Sequence, residues 1–323
     1  MAATFAIPGL LRQSMSPYHL GTSHLTQSAV TMFAFVALAI LSAVAPFASA
    51  VPTPSEHVLV PGGYRARSET NFYQVPEGGS VSHVEDKVHV LDAAGSVVHI
   101  VTPQFATPTK VNADAVLPLP TGWVAYASWQ NSGSDAIASF TTSWTVPAVP
   151  PTDDGQTLFY FNSIEPTSGN AILQPVLQYG SSAAGGGSYW AVATWYLVGN
   201  SVMYTNPVRV SAGANLNGII TLKSHSGSSY NYVSSFTNVG STSLTVNGAA
   251  QLTWATETLE VYSVASQNDF ASGSTVFSNI NLSLASGAVP SVKWSTVSSS
   301  QDHLTTTVNT NGATNAKITI THS

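Results

Sequence analysis

The sequence predicts an all-β protein: a two-sheet antiparallel β-sandwich of the jelly-roll or concanavalin-like kind, preceded by a small β-hairpin module. Three observations predict it. Short runs alternate apolar and polar residues or are β-branched; Gly, Asn, Ser and Pro punctuate them; and no stretch keeps a 3.6-residue period. From Gly122 onward such runs succeed one another with no repeat of fixed length, which favours two packed sheets over a propeller.

The first element is a leader. Met32 to Ala50, MFAFVALAILSAVAPFASA, is an apolar run closing on Ala48-Ser49-Ala50, with small residues at the spacing of a signal-peptidase site. It is marginal for a membrane span, which needs about 20 apolar residues. Residues 1–50 are therefore expected to be leader and signal peptide, with translation beginning at Met1 or Met32. The mature chain is expected to be secreted, extracellular, and off the membrane after signal cleavage. The sequon Asn281-Leu282-Ser283 makes Asn281 a candidate glycosylation site.

The second element, residues 51–118, differs in composition from the rest of the chain. It holds His57, His83, His89 and His99 but no Trp. VEDKVHVLDAAGSVVHIV reads as two strands around the turn Asp92-Ala93-Ala94-Gly95, and TPQFATPTKVNADAVLPLPTG as a Pro-rich connector. A small β-module just after a signal sequence suits a propeptide or an N-terminal extension.

Residues 119–323 are the sandwich itself. Its strands are read from runs such as AIASFTTSWTVP, TLFYFNSIEP, YWAVATWYLV, YNYVSSFT, LTWATETLEVY, TVFSNINLSL and AKITITHS. Charged residues make up 7% of the chain, against roughly 25% in an average soluble protein. With 9 Lys and Arg, 15 Asp and Glu and a net charge of −6, nucleic acid is excluded as a partner. A surface of Ser, Thr, Asn and Gly changes little with pH, which suits an acidic medium and equally any secreted β-protein. The chain has no cysteine, so disulfides and zinc–thiolate sites are excluded. His225, His303 and His322 lack paired ligand spacing and read as surface residues. No metal and no cofactor is implied, and a monomer is expected.

So few charges make the functional candidates easy to name. Asp135 and Asp153-Asp154-Gly155 read as turns. Glu165, Glu257 and Glu260 fall inside strands. Alternation puts Glu165 on one face with Phe159, Phe161 and Ser163, and Gln174 and Gln178 together with Ile172 and Val176. If Trp254 packs between the sheets, Glu257 points to the opposite face. There the small neighbours Thr253 and Ala255 leave room for a ligand. Glu260 then falls on Trp254's side, near the strand end in solvent. A sheet face lined with aromatics, amides and carboxylates is a groove for a polymer; Gln174 and Gln178 facing water on an outer sheet is the alternative.

Between Ser139 and Phe270 four blocks, in order, resemble the eqolisins, glutamic peptidases secreted mainly by fungi. SFTTSWTVPAVP is similar to their strand ending in Val-Pro. FNSIEPTSGNAILQPV resembles their Trp-Val-Gly-Ile-Asp segment and the Ala-Ile-Leu-Gln after it. YWAVATWYLV with VSAGANLNGII is similar to their Trp-Tyr-Glu-Trp-Tyr block and its Gly-Asp turn. LTWATETLE, with NDF downstream, resembles their Glu-Trp-Ile-Val-Glu block. The resemblance implies a β-sandwich made as a preproprotein, hence a role for residues 51–118, and an acid-active glutamic endopeptidase acting on polypeptides. Its catalytic pair carries over to Gln174 and Glu257. The Glu takes a proton from the attacking water and the Gln amide donates to the oxyanion. Glu165, Gln178, Thr194 and Phe161 would line the groove. Departures accompany it: Glu165 stands for the family Asp, Thr194 and Thr253 for family Glu residues, Ala214 for the turn Asp, and Pro175 follows the Gln. Two other readings stay open. One is a glycan-binding or glycan-cleaving sandwich using Trp123, Trp129, Trp190 and Trp195 as stacking surfaces and Glu165 with Glu257 as a carboxylate pair. The other is a catalytically inactive secreted homologue.

Overall fold

The computed structural model describes residues 59–62, 72–105 and 122–322. The leader, the signal sequence, His57 and most of the Pro-rich connector lie outside them. In chain order the strands are β1 (Phe72–Gln74), β2 (Ser80–Val84), β3 (Lys87–Leu91), β4 (Val97–Val101), β5 (Trp123–Gln130) and β6 (Ile137–Thr145). Next come β7 (Thr157–Glu165), β8 (Ala171–Ser182), β9 (Gly185–Val198), β10 (Ser201–Tyr204), β11 (Val208–Arg209) and β12 (Asn215–Ser226). Last are β13 (Ser229–Phe236), β14 (Leu244–Ala249), β15 (Trp254–Tyr262), β16 (Ser274–Leu284), β17 (Ser295–Val297), β18 (Leu304–Thr310) and β19 (Ala316–His322). The single helical element among the described residues is a 3-10 turn at Gln267–Asp269.

The strands form the expected sandwich. One sheet runs β1-β10-β9-β8-β7-β15-β5-β17, with β11 also on β9; the other runs β18-β19-β16-β6-β12-β13-β14-β2-β3-β4. Alternate residues of the first sheet, Leu158, Tyr160, Ile164, Leu173 and Leu177, meet Phe140, Trp144, Ile220, Tyr232 and Phe277 of the second in one apolar core. At about 25 cal/mol per Å² of apolar surface removed from water, this interdigitated layer is the main term holding the sheets together.

The N-terminal module is built into the sandwich. Its hairpin is where the sequence put it, with Asp92 Oδ1 accepting from the Ala94 and Ser96 amides across the turn. Its strands, however, extend both sheets. β1 adds parallel to β10, and β2 adds parallel to β14, so the sandwich is antiparallel except at these two joints. Val75, Val81, Val88 and Val90 belong to the same core as the strands of residues 119–323. His83 Nε2 and the Tyr196 hydroxyl, 2.8 Å apart, join the module to β9. The physical reason is edge satisfaction: β10 and β14 would otherwise end their sheets with unpaired backbone groups.

Candidate functional site

Strand pairing decides which side chains share a face. Glu257 lies opposite Asn162, and Thr256 opposite Ser163. The β7–β8 register, fixed by Phe161↔Val176 and Ile164↔Leu173, sets Gln174 in the row of Ser163 and Thr256. Because side chains alternate along a strand, Gln174 and Glu257 point to opposite faces of one sheet. The expected convergence of these two residues does not occur. The premise that failed is Trp254's position. It lies outside the sandwich, stacked on Trp123 at 5.6 Å between ring centroids, which turns Glu257 inward.

Glu257 is fully buried between the sheets. Thr142 Oγ1, from β6 in the facing sheet, donates to its Oε1 at 2.5 Å. Burial drives its pKa well above the usual carboxylate range, against a smaller opposing pull from the Thr142 hydrogen bond. Close packing surrounds it: a Cβ on Gly218 would come within 2.4 Å of Asn162 Oδ1 and 3.0 Å of the Trp144 ring. Nothing here admits a polymer. Thr194 also faces inward, donating to the Thr242 carbonyl at 2.6 Å, and so does not line a groove. The Glu165–Glu257 pair needed for glycoside cleavage is likewise split across the two faces. Of the Trp residues considered as sugar platforms, Trp190 and Trp195 are buried.

The outer face of the first sheet is different. Glu165, Ser163, Phe161, Gln174, Gln178, Thr256, Thr258 and Glu260 project from it, as their register requires. Ser163, Thr256 and Thr258 form a hydroxyl chain with 2.7 and 2.9 Å contacts. Phe161 lies beneath Trp123, edge to face. Gln178 is committed elsewhere: its amide donates to the Gly180 and Gly185 carbonyls and accepts from Ser182, closing the β8–β9 hairpin. Gln174 is the exception, fully buried with neither amide atom hydrogen-bonded among the described residues. Glu165 and Gln174 are diagonal neighbours on adjacent strands, about 7–8 Å apart at the backbone and within reach of long side chains.

This face is covered by Leu59, Val60, Pro61 and Gly62. The Leu59 carbonyl accepts from the Ala183 amide at 2.9 Å. Val60 is buried in an apolar cluster with Phe159, Phe161, Ile172, Val176, Trp195 and Tyr262. The Gly62 amide donates to Glu260 Oε2 at 2.6 Å, while Glu260 Oε1 accepts from the Tyr262 hydroxyl at 2.6 Å. A Cβ on Gly62 would lie 3.1 Å from Ile172 Cγ2 and 3.5 Å from Gln174 Nε2. Joined through one residue, these contacts leave no more than about 9 Å between the Glu260 carboxylate and the Gln174 amide.

The same contacts require a curved groove. Four residues of chain reach about 14 Å when extended, whereas a straight strand from Ile172 to Ala183 would run roughly 36 Å. Strand β8 therefore curls over its own outer face, and the pairing irregularity between Tyr179 and Gly180 gives it a place to bend. Glu260, read from sequence as solvent-facing, is fully buried in this groove. Its alternation with Trp254 carried the right face; no local signal carried the covering segment, whose Gly62 stands 198 residues before Glu260. Asn281, half-buried on β16, donates its amide to the Asn279 carbonyl at 2.7 Å. Among the described residues no group of three His, Cys, Asp or Glu is placed to hold a metal, and no helix is long and apolar enough to cross a membrane.

No family model and no curated protein matches the chain. Solved structures similar to it include scytalido-glutamic peptidase with a peptide-based transition-state analogue, at 13% identity and a TM-score of 0.43. The same peptidase with a transition-state-analogue inhibitor gives 14% and 0.40. SCP-B, an eqolisin-family peptidase in complex with the tripeptide Ala-Ile-His, gives 15% and 0.39. Each comparison covers 63% of this chain and 98% of the other. The likeness is remote. None of the site's chemistry rests on it.

Proposed function

We propose that the chain is a secreted, acid-active endopeptidase of the glutamic type, with Gln174 as oxyanion donor and Glu260, rather than Glu257, as general base. One observation supports this reading above the others: a single residue of peptide backbone, Gly62, donates its amide to Glu260 and has its missing side-chain position 3.5 Å from Gln174 Nε2. An amide with no partner among the described residues and a carboxylate, both near one stretch of polypeptide, are what water-mediated acyl transfer needs.

In this mechanism Glu260 takes a proton from the water that attacks the scissile carbonyl. The Gln174 N–H₂ donates to the oxygen as its charge develops, and the tetrahedral intermediate collapses with the proton passed on to the leaving amine. The Tyr262 hydroxyl donates to Glu260 Oε1 and holds the carboxylate in place. Glu165 adds a second carboxylate on the same face, diagonal to Gln174. The assay is cleavage of denatured protein by the purified full chain below about pH 5, after acid incubation to release the covering segment. Absence of cleavage throughout that range, with the segment shown to be released, leaves a binding scaffold and no peptidase.

A further inference from the structure

We infer that the outer-face groove recognises a Val-Pro-Gly turn in its polypeptide ligand, and that Leu59–Gly62 is the chain's own copy of that ligand, held in place of substrate. This rests on the reading of the face as a peptide groove and names the sequence it takes. Three features define the recognition. Val60 fills an apolar pocket walled by Phe159, Ile172, Trp195 and Tyr262. Pro61 is buried behind it. Gly62 has φ +85°, the left-handed conformation that the third residue of a type II turn requires and that Pro favours from the position before. Any side chain at Gly62 is strained by that φ and would also meet Ile172 Cγ2 at 3.1 Å.

The polar contacts are those of a guest rather than of a sheet strand. Leu59 to Gly62 belong to no strand of either sheet. Among the described residues they are held by a backbone bond to Ala183, a bond to Glu260 and burial of Val60. Gln174 receives no hydrogen bond from them, although a Cβ on Gly62 would lie 3.5 Å from its amide nitrogen. A tethered ligand of this kind is present at an effective concentration in the millimolar range, so a free peptide is excluded while the tether is seated.

The experiment compares full-length wild type, Gly62→Ala and Val60→Asp. It measures exchange of the Ala183 amide and titrates in acetyl-Leu-Val-Pro-Gly-Gly-amide by tryptophan fluorescence. Both variants should exchange Ala183 at least about tenfold faster than wild type. Both should bind the peptide where wild type does not. A peptide with Ala for its first Gly should bind about tenfold more weakly, the cost of forcing an L-residue into the left-handed region. Folded variants that keep Ala183 protected, or that ignore the peptide, overturn the inference. So does loss of folding in both, which would make the segment part of the core. Peptide binding without cleavage of any protein upholds the inference and removes the hydrolase reading. Protein cleavage without binding of this peptide does the reverse.

Discussion

Glu257 and Glu260 stand three residues apart on one strand, each fully buried, and their surroundings are opposite. Glu257 faces the packed interior between the sheets, where one Thr hydroxyl reaches it and the rest is Trp144, Asn162 and Gly218. Glu260 faces a curved groove, where a tyrosine holds one oxygen and a peptide amide the other. Burial alone therefore says little about a carboxylate's task. What separates the two is whether polypeptide reaches them.

The contrast between the two faces breaks first at Gln174. If the groove is catalytic, Gln174→Ala removes the oxyanion donor and should lower kcat by about 10²–10³-fold with little change in KM. A loss confined to KM would reduce Gln174 to a substrate contact. Next is Glu257→Gln. Its raised pKa means that the folded state prefers the proton. That contribution is favourable below the unfolded value of 4.5 and becomes a cost as pH rises through 4.5 toward the folded value. Replacing it by neutral Gln should raise Tm at pH 7 by roughly 2–4 °C. The gain should close in acid, and thermal melts at the two pH values read it directly.

The smallest effect concerns the joint between the N-terminal strands and β9. Burial lowers the pKa of His83 from 6.5, so the neutral ring is the form the fold prefers. The stability it contributes is present above 6.5 and is lost as pH falls below that value toward the folded one. Hydrogen exchange in Ser80–Val101 should quicken on mild acidification, and His83→Gln should flatten that dependence while the β7–β8–β15 strands stay unchanged. An equal response in both regions would mean that His83 reports global stability and not the joint.

Much of the architecture could be read from alternation and turn residues. The Asp92–Gly95 hairpin, the strand at Thr157–Glu165 and the common face of Glu165, Phe161 and Ser163 come from period two alone. The same rule also placed Glu260 with Trp254. What alternation cannot supply is which face is the inside, because an apolar residue such as Trp254 fits a core or a groove equally well. That one ambiguity moved Glu257 to the wrong side. The joining of β1 and β2 to distant edges, and the seating of Leu59–Gly62 over Gln174, are long-range pairings with no local sequence signal. Thr194 and Gln178 show the same limit: residue type suggested a groove, whereas their hydrogen bonds belong to the sheet interior and a hairpin.

The most direct measurement sets Glu260→Gln beside Glu257→Gln in the acid cleavage assay, each with its folded state confirmed by a melt. With Glu260 as the base, Glu260→Gln should lose about 10²–10⁴ in kcat/KM, the usual worth of a general base, while Glu257→Gln stays within about twofold of the parent. The opposite ranking, with Glu257→Gln inactive and Glu260→Gln intact, would contradict that assignment and return the chemistry to the space between the sheets.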